Sequence, residues 1–402
     1  MSSAKGFRVT RLATAFAARP LLPFGFAAFG IVAALTTLPF MNEMPIYWNN
    51  AEILASGELL PSDSFYLFGY SLILSPFIAW FGLNGVTALQ ASIYALTIWL
   101  AWTLLNRAKV TPTLVVVGTA VIAYHPYLLL NIQRVNDNVI NVFLIIILYY
   151  YLFTSRVLHD FSRSVGCGIA LGLFCIIRPN AAVFALLPIV ALLMDHPTRQ
   201  KGYRLAALYG SAIAVWFAVS FVATGTPFFV PSNGPYNLFA GNNPYSEEAL
   251  LSMFNGEYSI DRGLEYFGYA GVDRYTIDGQ TYIRLSMEFI KSQPAEAFKL
   301  LFIKAWVLLG PDLSHADNTA EILIQTALAM PVLVWLALLW LTRGLVSRSE
   351  TLYILLFFIL FIGPFIATNA DPRIRLPLDV MLLVDSVKRL DLYWRSRRTE
   401  FR

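Results

Sequence analysis

Charged residues and cysteine are both scarce in this sequence. Asp, Glu, Lys and Arg make up 13% of the 402 residues, whereas hydrophobic residues make up 57%. Soluble proteins carry about 25% charged residues, so the composition excludes an ordinary soluble globular protein and indicates an integral membrane protein. The 2 cysteines, Cys167 and Cys175, fall in one predicted helix. About two turns, roughly 12 Å, separate them, which is too far for a disulfide bond.

The sequence also lacks the short motifs of common nucleotide-dependent and metal-dependent enzymes. It contains no Walker-type phosphate loop, no dinucleotide fingerprint, no zinc-ligand spacing and no Gly-Xaa-Ser-Xaa-Gly elbow. Heptads, tandem repeats and low-complexity tracts are absent as well. We therefore expect neither ATP, nor a soluble nucleotide, nor nucleic acid as a direct partner.

Apolar runs of about 17 to 22 residues recur along the chain and predict transmembrane helices rather than the strands of a barrel. Most of the 29 Lys and Arg lie at the N-terminus, in short loops and in the C-terminal tail, and such segments are typically cytoplasmic. Two apolar runs, 66–83 and 86–106, separate the first outer loop from Arg107, so one of them should not cross. We choose 66–83, which is short and contains Gly69 and Pro76, as a helix at the outer interface.

The predicted fold is an all-α polytopic membrane protein with about ten crossings and both termini in the cytoplasm. Lys299 and Lys304 make 295–310 a second interfacial helix by the same charge argument. A basic N-terminus (1–20) and a basic tail (391–402) flank one transmembrane domain (21–390) with outer loops at 42–85 and 224–320. The predicted crossings are 21–41, 86–106, 112–130, 139–155, 165–178, 181–194, 205–223, 321–342, 351–368 and 376–390.

The first outer loop carries carboxylates beside aromatic residues. Residues 47–57 have apolar residues at helical spacing and end at Gly57, which predicts an amphipathic interfacial helix with Tyr47 at the membrane surface. Glu43 lies one turn before this helix, and Asp63 starts a similar turn before the next apolar run. Both are candidate catalytic carboxylates, and Tyr47 is a candidate ligand for a sugar or an acceptor. The alternative is that Glu43 stabilises the helix dipole, which is worth about 0.3 to 1 kcal/mol.

The second outer loop brings charge to the start of a predicted crossing. Arg134 and Asp137 are three residues apart, so they could pair on a continuing helix. A charge in the membrane costs roughly 2.5 to 3.5 kcal/mol unless it faces a polar cavity, and this cost favours a functional role for both residues. An isolated ion pair at the end of a crossing is the alternative. His125, near the end of the preceding crossing, is a candidate ligand for a sugar or an acceptor.

Arginines at two further turns could bind a phosphate. Arg178 precedes Pro179 at a predicted turn on the outer face, and Arg373 and Arg375 lie at the outer mouth of the last crossing. A structural carboxylate or bulk anionic lipid is the alternative partner for these arginines.

The long outer insertion is rich in amide side chains. Asn233, Asn237, Asn242 and Asn243 could bind sugar hydroxyls, although asparagine also forms ordinary turns. Gly168 and Gly172 are four residues apart, which indicates close helix packing. Asp379 and Asp385 lie in the last crossing, where we expect each to pair with an arginine or a neighbouring helix.

In their order these motifs resemble those of the GT-C superfamily of membrane glycosyltransferases, which includes protein O-mannosyltransferases and the lipid A aminoarabinose transferase. The matching segments are NEMPIYWNNAEILASGEL and LFGYSLIL in the first loop and RVNDNVIN in the second. The Arg178 turn, the Asn-rich loop, the helix entered at Pro294 and the segment from Arg373 to Pro377 also have counterparts. The sequence departs from the family pattern at Glu43, where aspartate is commoner.

The resemblance implies an inverting transfer of a sugar from a polyprenyl-phosphate donor to an acceptor hydroxyl of a glycan, glycolipid or protein. It also implies a bacterial-type inner (plasma) membrane with the site on the periplasmic face. Glu43 would then be the general base, worth about 10² to 10⁴ in rate, and Asp63 is the other carboxylate of that loop.

The same resemblance assigns the charged residues around the base. The candidates for binding the departing phosphate are Arg134, Arg178, Arg373 and Arg375, because a guanidinium binds phosphate with two parallel hydrogen bonds. Asp137 would orient an arginine or hold a metal. The resemblance fixes no cofactor and leaves a divalent metal open.

Two other classes of protein remain as alternatives. A transporter or lipid flippase also needs polar groups in a membrane cavity, although the sequence shows no inverted repeat and no paired broken helices. A non-catalytic relative acting as a partner subunit is the third reading. Access to the cavity from one face or from both would separate the enzyme from the transporter.

Overall fold

The computed structural model describes residues 20–40, 45–60, 68–153, 161–178, 199–224, 233–251, 256–310, 319–346, 348–370 and 375–400, with single positions at 186, 189, 190 and 193. These residues form helices and loops, without a β-strand in the described ranges. The all-α prediction is therefore confirmed. The α-helices are α1 (Leu22–Thr37), α2 (Pro45–Ser56), α3 (Gly69–Arg107), α4 (Pro112–Ala123), α5 (Pro126–Leu130), α6 (Asn138–Phe153), α7 (Phe161–Ile177), α8 (Arg199–Thr224), α9 (Asn233–Ala240), α10 (Ser246–Leu251), α11 (Gly256–Tyr266), α12 (Gly279–Ser292), α13 (Pro294–Leu309), α14 (Thr319–Leu341), α15 (Arg348–Ala367) and α16 (Leu376–Glu400).

The helix boundaries follow the predicted apolar runs. Every predicted crossing except 181–194, which lies largely outside the described residues, overlaps a helix. The predicted crossing 112–130 is divided into α4 and α5, because the chain leaves the helical conformation at His125, directly before Pro126. Pro294 separates α12 from α13 as predicted. The last helix continues past the predicted end at 390.

Among the described residues, two helical stretches are long and apolar enough to cross a membrane by length and composition. They are Gly69–Arg107 and Gly202–Val222. Shorter apolar stretches of 10–17 residues occur in α1, α4, α6, α7, α14 and α15. Length and composition thus agree with a membrane protein.

Helix α3 folds back on itself at Gly82. This residue has φ 54° and ψ −137°, which glycine adopts without a steric penalty. After the bend the chain runs back beside the residues that precede it, because a Cβ on Gly85 would collide with the carbonyl of Phe77. Tyr70 and Gln90 share a hydrogen bond of 2.8 Å, although they would lie about 30 Å apart in a straight helix. The predicted division between 66–83 and 86–106 is confirmed as a break, and the first segment is a separate limb.

The core of the bundle is built around α6 and α16. Helix α6 packs against α3, α7 and α16, and α16 packs against α4, α6 and α14. Val142, Leu144 and Ile145 of α6 are all buried although their side chains leave the helix in different directions. A helix that is apolar around its whole circumference is expected to be surrounded by other helices.

Helices α7 and α8 form a close pair through glycines. A Cβ on Gly168 would lie 2.6 Å from the Cβ of Leu208, and a Cβ on Gly172 would collide with Ala212. Small residues four apart allow two helix backbones to approach in this way. The packing role predicted for the two glycines is confirmed.

The acidic residues of the last helix are paired within the bundle. Asp379 binds Arg375 at 3.0 Å, and Asp385 binds Arg389. Asp385 also accepts hydrogen bonds from Tyr149 Oη at 2.9 Å and from Trp335 Nε1 at 3.0 Å. The pairing expected for these acids is confirmed, and the Asp385 pair joins α16 to α6 and α14.

The other end of α16 is attached to the loop between α3 and α4. Asp391 accepts hydrogen bonds from the backbone N–H and the hydroxyl of Thr111, and it pairs with Arg395 at 2.8 Å. Arg395 donates to the carbonyl of Lys109. Helix α16 is therefore held at both ends as well as in its middle.

Candidate functional site

Polar side chains from three separate segments meet beside α2. This helix ends at Gly57, whose φ of +81° fits the predicted glycine stop. Tyr47 of α2 contacts Tyr70 edge to face, with ring centroids 5.2 Å apart. Tyr47 is only 7% exposed, so it is buried against α3 instead of lying at the surface as predicted. We call the polar cluster around these rings the Asp137 centre; its members are Tyr47, Tyr70, Gln90, Arg134, Asp137 and Arg178.

The strongest interaction of the Asp137 centre joins Arg178 to Asp137. Arg178 Nε donates to Asp137 Oδ2 at 2.7 Å, and Nη2 donates to Oδ1 at 2.9 Å. Nη2 also donates to Asn138 Oδ1 at 2.8 Å, while Asn141 Nδ2 donates to Asp137 Oδ2 at 2.8 Å. A two-point guanidinium–carboxylate pair of this kind fixes the plane of the guanidinium. Arg178 therefore has the structural carboxylate partner that the sequence offered as the alternative to phosphate, and Asp137 orients it. Unlike Arg375, the Arg178 side chain keeps 17% of its surface exposed.

The continuing helix on which Arg134 and Asp137 were expected to pair is not formed. Helix α6 begins only at Asn138, so Arg134 lies in the loop before it and the helical geometry is absent. The carbonyl of Arg134 accepts a hydrogen bond from Gln90 Nε2 at 2.9 Å. Through Gln90 the second outer loop is attached to α3.

Three of the predicted site residues lie outside the described residues. They are Glu43, Asp63 and Arg373. Glu43 is two positions before Pro45, the first residue of α2, so it precedes a helix that contributes Tyr47 to the Asp137 centre. The structure thus brings together Tyr47, Arg134, Asp137 and Arg178 from the predicted set.

Of the predicted asparagines, Asn242 belongs to a second cluster. We call this cluster the Lys304 centre; it comprises Gly241, Asn242, Lys304 and Thr368. Lys304 Nζ, fully buried, donates to Asn242 Oδ1 at 3.1 Å and to the Thr368 carbonyl at 3.2 Å. Asn242 Nδ2 in turn donates to the Ala367 carbonyl at 2.9 Å. Gly241 lies so close to Thr368 that a Cβ there would collide with its carbonyl. This cluster attaches the outer insertion to the end of α15.

Asn243 is likewise engaged by its own loop. Its Nδ2 donates to the Phe239 carbonyl and to Ser259 Oγ, each at 2.7 Å, and its Oδ1 accepts from the backbone N–H of Tyr245. Asn233 begins α9 and Asn237 lies within it, both partly exposed. For Asn242 and Asn243 the turn-forming alternative is therefore favoured over sugar binding.

Burial of Lys304 predicts a pH-dependent stability. Desolvation lowers the pKa of Lys304 from 10.5 to about 8. Between these values the unfolded chain binds a proton that the folded chain does not, so stability should rise with pH, by on the order of 3 kcal/mol in total. Between pH 7.5 and pH 9.5, the melting temperature of the wild type should rise relative to that of Lys304→Met. Lys299→Met, which removes an exposed lysine of the same helix, should behave as the wild type does. Parallel curves for all three proteins would contradict the prediction.

Arg375 was predicted to bind a phosphate, but in this conformation its guanidinium is engaged by protein groups. Its side chain is 1% exposed, with Nε bound to Asp379 at 3.0 Å and Nη1 donating to the Leu308 carbonyl at 2.7 Å. The pair attaches the start of α16 to the end of α13. These contacts favour a structural role for Arg375.

His125 occupies a third place, in the break between α4 and α5. It is 5% exposed, and within the part of the chain that the structure describes neither ring nitrogen has a hydrogen-bond partner. Apolar side chains of α14 and α16 line the same cleft. His125, predicted as a sugar or acceptor ligand, thus has apolar side chains of α14 and α16 around it, and in the described ranges its ring makes no hydrogen bond to the predicted asparagines.

The described residues contain no group of three His, Cys, Asp or Glu side chains arranged to hold a metal ion. Sequence reasoning missed Gln90, Tyr70 and Lys304, which connect the loops to the helices. A buried polar residue within an apolar run was the available signal, because such residues are costly in a membrane unless they have a partner.

Comparison with known proteins gives no relative. No family model, no curated protein and no solved structure matches this chain. Its function is therefore argued from the chemistry of the Asp137 centre and from the order of its sequence motifs.

Proposed function

We propose that this protein is a GT-C type membrane glycosyltransferase that moves a sugar from a polyprenyl-phosphate donor to an acceptor hydroxyl. The observation that carries the proposal is the two-point pair between Arg178 and Asp137 beside α2. A fixed arginine, together with Glu43, which precedes α2 in the chain, would provide the two functions that this transfer needs. One is positive charge for the leaving phosphate, and the other is a base for the attacking hydroxyl.

The proposal includes the membrane arrangement. About ten crossings place both termini in the cytoplasm and the Asp137 centre at the periplasmic face of a bacterial-type plasma membrane. By the charge argument, the limb of α3 before Gly82 lies along or dips into the outer interface without crossing the membrane. Helix α13 lies there too, and its exposed Phe298, Phe302 and Trp306 support contact with lipid.

The roles of the residues follow from the charges that develop during transfer. The acceptor hydroxyl gives its proton to Glu43 as its oxygen bonds to the anomeric carbon, and the bond from that carbon to the phosphate oxygen breaks. The polyprenyl phosphate leaves with the electron pair of that bond. Arg178, held in plane by Asp137, binds the leaving phosphate, and Arg134 lies in the adjacent loop. Asp137 is a positioning residue, since both of its oxygens already accept hydrogen bonds from Arg178.

The basic test of the proposal is transfer by the purified protein. Incubation in lipid nanodiscs with radiolabelled polyprenyl-phosphate sugars and envelope-derived acceptors should yield labelled product that depends on the protein. The proposal would be overturned if, with every such donor, labelled product formed no faster than in nanodiscs without the protein. Movement of labelled donor between leaflets, without a transferred product, would favour the lipid flippase.

Replacing Arg178 with lysine should lower the transfer rate about 10- to 150-fold. Lysine keeps the positive charge but loses the planar two-point geometry, and a hydrogen bond to a charged group is worth about 1.5 to 3 kcal/mol. The measurement is the initial rate of product formation at saturating donor. Arg262→Lys, at an exposed arginine paired with Glu265, is the matched control and should be fully active. Wild-type activity in Arg178→Lys would remove Arg178 from the phosphate site.

A further inference from the structure

The break between α4 and α5 borders an open cleft that the proposed transfer does not use. The cleft has a volume of about 590 Å³ and is lined by Val121 and His125 on one side, by Met330 and Val334 of α14 on the other, and by Leu383 of α16. This volume falls within the roughly 300 to 1,000 Å³ of ligand sites. The cleft is therefore large enough for one small ligand or one hydrocarbon chain.

The lining is apolar except at two neighbouring residues, Tyr124 and His125. Val121, Met330 and Val334 are 51%, 44% and 37% exposed, so their side chains form an apolar rim. His125 lies inside, buried, with two nitrogens that find no partner among the described residues. A buried polar group without a partner destabilises the protein unless a ligand or water supplies the hydrogen bond. The cleft thus offers an apolar surface for a chain and, at His125, a buried polar group for its head.

We infer that this cleft binds a single-chain lipid alcohol, with the chain along α14 and the hydroxyl at His125. A neutral imidazole presents one donor and one acceptor nitrogen, and a hydroxyl can match either of them. A dianionic phosphate only accepts hydrogen bonds, so it would match the donor nitrogen alone. The rim opens sideways between two helices that the proposed arrangement places in the bilayer, and on this point the inference rests on the proposed function. The lipid alcohol would therefore enter the cleft directly from the bilayer.

The test is photolabelling of the purified protein in nanodiscs with a diazirine-bearing hexadecanol, followed by mapping of the labelled peptides. Label should concentrate in residues 120–126 and 330–334. An excess of unlabelled hexadecanol should displace it, whereas hexadecyl phosphate and phosphatidylcholine should displace it less well. Equal displacement by the phosphate or by the phospholipid would overturn the assignment of an alcohol. Labelling does not require sugar transfer, so a protein without transferase activity would still bind the probe.

Variants of the cleft test the two contacts separately. Val334→Trp fills the cleft and should abolish the displaceable label, while Val215→Trp, at an apolar position of α8 that is 61% exposed, should leave it unchanged. His125→Phe keeps an aromatic ring but removes both nitrogens, and it should weaken binding about 3- to 10-fold. His125→Gln restores a hydrogen-bonding group and should bind more tightly than the phenylalanine variant. Unchanged labelling in Val334→Trp, or equal affinity of the Phe and Gln variants, would overturn the inference.

Discussion

Replacing Glu43 with glutamine should lower the rate of sugar transfer by about 10² to 10⁴ while the protein still folds. Glutamine has nearly the same shape as glutamate but cannot take a proton from the acceptor hydroxyl, and general-base catalysis is typically worth this factor. The acceptor oxygen must lose its proton as it attacks, so the loss should appear in kcat. The measurement is single-turnover transfer with saturating lipid donor, which separates chemistry from donor binding.

The control for Glu43 is a second glutamate close to it in the chain. Glu52 lies on α2 and is exposed, so Glu52→Gln changes the same functional group without removing the proposed base. It should transfer sugar at the wild-type rate. If Glu43→Gln retained most of the activity, Asp63 would become the candidate base, and Asp63→Asn would be the next variant to measure.

Replacing Asp385 with alanine should destabilise the protein by about 3 to 5 kcal/mol, the range found when one partner of a buried ion pair is removed. Arg389 is 1% exposed and would keep its charge without the carboxylate that faces it. Tyr149 Oη and Trp335 Nε1 would lose their acceptor in the same change. The measurement is unfolding in mixed micelles as the fraction of denaturing detergent is raised.

A double replacement tests whether the unpaired charge of Arg389 causes the loss of stability. Asp385→Ala combined with Arg389→Met removes both charges and leaves an apolar chain of similar length. Most of the lost stability should return, because replacing a whole buried ion pair by apolar residues is often neutral. A double variant as unstable as Asp385→Ala alone would assign the loss to the hydrogen bonds of Tyr149 and Trp335.

The sequence predicted features that depend on local chemistry. Pro294 separates two helices because of its own backbone properties, as predicted. The division between 66–83 and 86–106 was also predicted, although the bend falls at Gly82 and not at Gly69 or Pro76. Asp379 and Asp385 each pair with an arginine four residues away in the chain, at the helical spacing that brings side chains together. Each of these features depends on only a few neighbouring residues, so the sequence alone could predict it.

The sequence could not predict partners that are distant along the chain. Asp137 pairs with Arg178 across 41 positions, although Arg134 was the nearer candidate. The choice depends on where α6 begins and how α7 packs beside it, and neither is encoded in a short motif. Arg375 and Asn242 show the same limit, because their burial is created by α13 and α15. Motif order therefore identified the segments of the Asp137 centre but not the contacts within it.

Helix α16 has a consequence for the lipid environment of the protein. Its stretch between Arg375 and Asp391 has about 16 residues and forms a rod of about 24 Å, which is shorter than the roughly 30 Å hydrocarbon thickness of a bilayer. Arg375 fixes one end to α13, and Asp391 fixes the other to the loop at Thr111. With both ends attached, the rod cannot tilt freely to match a thinner or thicker membrane. In the proposed arrangement the surrounding lipid must adjust its thickness to the protein, so stability should vary with acyl-chain length.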